Sequence, residues 1–217
     1  MKKNKRPIIL VSSTVYGIEE LLERIYTLLT TFGYEVWMSH KGTVPVASTK
    51  SAFENCIHAV ENCDLFLGII TPRYGSGIDK DEENGISITH RELLKAIELN
   101  KPRWMLVHER VVFARSLLGY LGYKNGVKRR KMKLEKNEVF DDMRIIDMYE
   151  NAIRKDTLLQ ERLGNWVQKY DGDASALLFA TAQFSRFQEV EAFVMENLSD
   201  PAKTPNKRSG GGSGYHG

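Results

Sequence analysis

The chain has 217 residues, 42% apolar and 27% charged. That is the balance of one folded domain with a buried core, and it excludes a wholly disordered chain or one made of membrane spans. The formal net charge of +3 comes from the termini: residues 1–202 sum to zero and residues 7–202 to −4. The body therefore has no general attraction for phosphate backbones, and any basic surface is local.

The basic opening is followed by an apolar run of only Ile8–Val11, too short for a signal-peptide core or a membrane span, so a cytoplasmic protein is expected. Residues 7–12 (PIILVS) read as a strand covered on both faces. Ile18–Phe32 carries apolar residues at amphipathic-helix spacing, and Gly33 stands where a helix stop is usual. Glu35–Ser39 reads as a second strand, Lys50–Asn62 as a second helix and Asp64–Thr71 as a buried third strand. A loop rich in Gly, Asp and Lys (72–86) leads to a helix at Thr89–Leu99 and a fourth strand at Pro102–His108. Strands alternating with helices imply a parallel sheet with right-handed crossovers.

After the fourth strand the regularity weakens. Residues 109–121 suit a helix, and Phe140–Tyr170 shows helical periodicity through Ile145, Tyr149, Ile153, Leu159, Leu163 and Trp166, so 109–170 reads as a helical insertion. Ala176–Ala182 (ALLFATA) is the candidate fifth strand, with helix as the alternative, and Phe187–Leu198 suits a closing helix. Residues 1–200 then form one α/β domain, and the Gly/Ser-rich 201–217 reads as a flexible tail or appended remnant. No internal repeat is visible.

In open parallel sheets, ligands bind beyond the carboxyl ends of the strands where strand order reverses. For five strands in the order 2-1-3-4-5 that point lies between the first and third. The loops following those strands are Ser12-Ser13-Thr14-Val15-Tyr16-Gly17 and Thr71-Pro72-Arg73-Tyr74-Gly75-Ser76-Gly77. One places three hydroxyls before a helix, where free N–H groups favour an anion; the other couples an Arg to glycines that let backbone approach a ligand. Together they describe a nucleotide crevice with Ser12, Ser13, Thr14, Tyr16, Thr71, Arg73, Tyr74 and Gly75 as candidate binding residues. Each piece also has a structural reading: the hydroxyls as helix caps, and Arg73 as a surface partner of Asp79 or Asp81. No Walker loop or dinucleotide fingerprint occurs.

Glu92 opens the helix after the third strand. Thr89-His90-Arg91-Glu92 matches a capping box, in which the Glu reaches back to the cap N–H. The alternative places Glu92 in the crevice, stabilising or attacking the anomeric carbon of a ribose as its base departs. The segments ILVSSTVYGIEELLERI, GIITPRYGSG and THRELLKAIELNKP resemble a bacterial family of Toll/interleukin-1-receptor-like domains related to nucleoside 2-deoxyribosyltransferases. The likeness covers roughly residues 7–108, and 174–198 faintly. It implies a flavodoxin-like or Toll-like sheet. In that superfamily a Glu is separated by eight residues from a Lys-Pro pair, as Glu92 is from Lys101-Pro102, and it is the nucleophile or essential carboxylate in N-glycosidic bond cleavage. The resemblance thus implies a catalytic Glu92 and a nucleotide site lined by Ser12 to Thr14, Arg73 and Tyr74. The chain has Ile86-Ser87-Ile88 where deoxyribosyltransferases place an Asp, and it lacks the Trp-Cys pair of many Toll-like domains.

Three functions follow as expectations. The first is cleavage of NAD or a related nucleotide in bacterial defence or stress. The second, favoured by the missing Asp, is a non-enzymatic nucleotide-sensing or protein-assembly module. The third is deoxyribosyl transfer in nucleotide salvage. No cofactor, metal or membrane is expected; a second copy or an operon-encoded protein is the expected protein partner. His40, His58, His90 and His108 lack metal-ligand spacing, and no nucleophile elbow or zinc-deaminase motif is present. Cys56 and Cys63 fit no zinc or redox spacing; both are expected reduced, with Cys56 packed as a small hydrophobe. The run Lys124–Lys136 concentrates a net +6 in thirteen residues, a solvated loop or a dock for nucleic acid or an acidic partner. Tyr123 is the only aromatic beside it, so stacking on bases has little support there.

Overall fold

A computed structural model describes residues 6–75, 77, 85–132, 141–162, 164–186 and 189. Five parallel strands form one sheet in the order β2-β1-β3-β4-β5: β1 Ile8–Ser13, β2 Glu35–Trp37, β3 Leu65–Ile70, β4 Arg103–His108 and β5 Asn165–Tyr170. The period of two along each central strand sorts its residues into two cores. Ile9, Val11, Leu65, Leu67, Ile69 and Leu106 face one side, under helices α1 (Glu19–Thr31) and α7 (Asp173–Phe184). Ile8, Leu10, Phe66, Ile70, Met105 and Val107 face the other, under α2 (Ala52–Asn62), α3 (Ile88–Glu98) and α6 (Arg144–Ala152). Each such buried aliphatic side chain contributes about 1.5–3 kcal/mol, which is why β1 and β3 read as continuous apolar runs.

The first half follows the sequence closely. Leu21, Leu22, Ile25 and Leu29 form the buried stripe of α1, and Gly33, at φ 100°, ends the turn behind it. A capping box does occur, on α2, where Ser51 and Glu54 exchange hydrogen bonds of 3.2 and 2.7 Å. The cap of α3 is Ser87, whose Oγ accepts from His90 N–H at 3.3 Å. The expected box on Thr89 is therefore corrected, and Glu92 falls in the second turn, beyond reach of the cap.

The second half differs in one exchange. The fifth strand is Asn165–Tyr170, and the expected strand Ala176–Ala182 lies inside α7. As an edge strand β5 turns one face outward, with Trp166 58% exposed, so its polar and apolar residues mix and its two-residue period is obscured. The ALLFATA run buries Ala176, Phe179 and Ala180 against the α1 side as one helical face; a short apolar run does not by itself separate buried helix from buried strand. The helical insertion is real but stops before β5. It comprises α4 (Glu109–Tyr120), α5 (Gly126–Arg130), α6 and the short turn Leu159–Glu161. The expected closing helix Phe187–Leu198, apart from Glu189, and the tail 201–217 lie outside the described residues. No helix among the described residues is long and apolar enough to cross a membrane.

Candidate functional site

Ser12 ends the buried part of β1, paired in register with Gly68 of β3, so the loops after both strands leave the sheet side by side. They touch: Gly75 adopts φ +94°, and a Cβ there would stand 2.9 Å from Thr14 Oγ1. Only glycine combines that left-handed backbone with that approach. Helix α3 then brings Glu92 beneath the junction. Ser12 Oγ donates to Glu92 Oε2 at 2.5 Å, and the Cys56 thiol, from α2, donates to the same carboxylate.

Glu92 is 8% exposed and belongs to the wall of a cleft of about 800 Å³. Burial pushes its pKa up to about 7, against the opposing pull of the Ser12 and Cys56 hydrogen bonds. The Cys56 thiol is raised to about 12, first by burial and then by the neighbouring Glu92 charge, so it remains a protonated donor. The expectation that Cys56 merely packs is corrected. It is half-buried at the cleft, whereas Cys63 is fully buried with Sγ directed at Val60 O, 3.3 Å away.

Of the residues expected at the site, Ser13, Thr14, Tyr16, Arg73, Gly75 and Glu92 share the cleft wall. Ser12 lies just under it, holding Glu92. Thr71 is also behind the wall: its Oγ1 accepts from Arg73 N–H at 3.1 Å and donates to Arg73 O at 3.0 Å, which folds the turn that presents Arg73. Tyr74 does not line the cleft. It is 2% exposed, with its ring under the Arg144 guanidinium at 4.7 Å and its hydroxyl 2.8 Å from His90 Nδ1. Alternation along the turn points Arg73 out and Tyr74 in. Gly77 lies outside the wall; Ser76, Asp79 and Asp81 lie outside the described residues.

The cleft also holds residues that the sequence did not assign to it: Cys56, Thr89, Ser39, Glu19 and Asp141. Glu19 accepts from Gly17 N–H at 2.9 Å, and backbone N–H groups hold its carboxyl below the ordinary range. Asp141, from the insertion, accepts from Tyr74 N–H at 2.8 Å, which ties the inserted segment to the Arg73 turn. Only contact across 67 residues identifies it, and no local signal does.

Each of the four described histidines has an internal partner. His108 caps α4, accepting from Arg110 N–H at 3.2 Å, and His40 lies 3.4 Å from Glu23. His58 neighbours Asn62, and His90 spans Tyr74 and Asn151. No cluster of three or more His, Cys, Asp or Glu side chains suited to a metal occurs among the described residues.

Fold and cleft define a doubly wound α/β protein with a buried acid at its topological switch point, the position where such sheets bind ligands. The profile of the family described as a domain of unknown function (DUF4062) matches residues 8–164. The chain belongs to that family, and the match runs from β1 through the insertion. No curated protein matches the chain.

Proposed function

We propose that this cleft binds NAD or a closely related nucleotide and cleaves its N-glycosidic bond, with Glu92 as the essential carboxylate. The observation that carries the reading is a nearly buried carboxylate in the wall of a cleft between two hydroxyl- and glycine-bearing loops. A charge held with little solvent around it acts strongly on charge that develops beside it. As the C1′–N bond breaks, its electron pair passes to the nicotinamide nitrogen and cancels the ring's positive charge. The sugar gains oxocarbenium character, which ionised Glu92 stabilises or captures. Water then adds at C1′, and its proton is taken up by the carboxylate or by solvent.

Ser12 and Cys56 hold the carboxylate in position, while Arg73 offers the cleft a cation for a phosphate. A bacterial defence or stress role in the cytoplasm, with a second copy or an operon-encoded protein as partner, fits this chemistry. One observation favours a second reading, a nucleotide-sensing module without turnover: two protein donors already occupy Glu92.

The test is to incubate the full chain with NAD and, separately, with pairs of deoxynucleosides and free bases, at several protein concentrations. Nicotinamide release that falls about 100-fold or more in Glu92→Gln is the expected result. NAD binding with no release in the wild type would replace it with the sensing reading, and base exchange with a transferase.

A further inference from the structure

The basic run after α4 takes no part in the Glu92 cleft, and its described residues help to build a second concavity. This cleft of about 630 Å³ lies between the C-terminal half of α4, the turn after it, and the segment from α6 to Lys155; it shares no wall residue with the first. Its wall holds Arg115, Lys124, Arg129 and Lys155 around a single acid, Glu150. Glu150 accepts from Arg115 at 3.1 Å, Arg129 at 2.6 Å and Lys155 at 3.0 Å, and Asp147 accepts from Arg129 at 2.6 Å. Three cations thus meet two carboxylates, and with Lys124 in the same wall the excess charge is positive.

Two further features point to an anion. The Lys124 ammonium has no hydrogen bond or ion pair among the described residues. Arg129, whose side chain is 2% exposed, keeps an Nε without a hydrogen-bond partner among those residues. The two carboxylates fix Arg115, Arg129 and Lys155 in place without neutralising them, which lowers the ordering cost when an anion binds. Tyr120, 92% exposed, stands in the same wall and offers a flat ring beside the charges. The sequence had suggested no aromatic partner for the basic run other than Tyr123; the α4 turn supplies one.

We infer that this second cleft binds nucleotide phosphates, with Arg115, Lys124 and Lys155 on the phosphate oxygens and Tyr120 stacked on the base. Free nucleoside polyphosphates and single-stranded nucleic acid share this chemistry. The site is independent of Glu92. Anisotropy titrations of the full chain would use a fluorescent ATP analogue, a labelled single-stranded oligonucleotide, and a labelled polyglutamate peptide. Either nucleotide probe should bind, and the tighter one names the source.

Lys124→Glu and Tyr120→Ala, both at exposed positions, should each weaken binding at least tenfold. They should leave the melting temperature and any nicotinamide release unchanged, and Glu92→Gln should leave this binding intact. For the single strand, three phosphate contacts give a slope of log K against log salt of about −2, made shallower by Lys124→Glu. Absence of nucleotide binding, binding that both variants retain, or binding confined to polyglutamate would overturn the assignment.

Discussion

Glu92 carries a conflict between stability and chemistry that titration can separate. Its folded pKa of about 7 lies above the ordinary 4.5 because burial penalises the charge. The folded protein therefore holds a proton that the unfolded chain has already lost. The stability contributed by the neutral buried carboxyl is complete below about pH 4.5, declines as pH rises, and is gone above about 7. The amount is about 3 kcal/mol. The proposed catalysis needs the other form: nicotinamide release should rise with pH through about 7, with Arg73, Glu19 and Asp141 the charged neighbours in the cleft. Glu92→Gln cannot ionise, so its melting temperature should match the wild type at pH 5 and exceed it by several degrees at pH 8. Parallel melting curves for the two proteins across that range would show that Glu92 is not a strained acid.

Among the elements, α3 matters most, because its start sets where Glu92 points. Ser87 is fully buried, and its Oγ satisfies the His90 N–H; one residue earlier or later, the second turn would rotate Glu92 by about 100° away from Ser12. Ser87→Ala should lower stability by about 1 kcal/mol and reduce release together with it. Thr89→Val, at the position the sequence marks as the cap, should leave the melting temperature within about a degree, since no capping bond is lost. Thermal melts of the two variants side by side test this assignment of the helix start. Similar losses for both would return the cap to Thr89. The exchange between β5 and α7 belongs to the same scale. Asp171 and Ser175 hydrogen-bond across the turn at 2.6 Å and start a helix just where the apolar run begins, a local signal that the run itself obscures.

At the level of the molecule, the insertion is joined to the site by a buried polar chain. Ser87 N–H donates to Tyr74 Oη at 3.3 Å, Tyr74 Oη lies 2.8 Å from His90 Nδ1, and His90 Nε2 lies 2.8 Å from Asn151 Oδ1. A neutral His90 with its proton on Nε2 satisfies every member, with Tyr74 donating to Nδ1; burial, which lowers the His90 pKa, favours that form. With Asp141 on Tyr74 N–H and Arg144 over the Tyr74 ring, three residues of the insertion thus hold the turn after β3 and the start of α3. Asn151→Leu leaves the buried His90 N–H without its acceptor. It should cost about 1–3 kcal/mol, seen as a lower melting temperature, and reduce release, although Asn151 does not line the cleft. An unchanged melting temperature and rate would mean that the insertion is merely attached.

Much of this was legible from local pattern. The apolar runs of β1 and β3, the amphipathic stripe of α1 and the alternation of strand and helix determine the sheet, because burial on both faces leaves a mark on every residue. The sheet in turn determines which two loops meet, so Ser13, Thr14, Arg73 and Gly75 were readable as neighbours before any coordinate. Tertiary structure alone decided whether the tyrosine of the second loop points inward, that Cys56 shares Glu92 with Ser12, that Asp141 closes the cleft from the insertion, and that Tyr120 stands beside Lys124. Those are contacts between segments distant in the chain or side-chain directions set by neighbours. No periodicity encodes them, since the free energy that selects them arises only once the separate faces are packed.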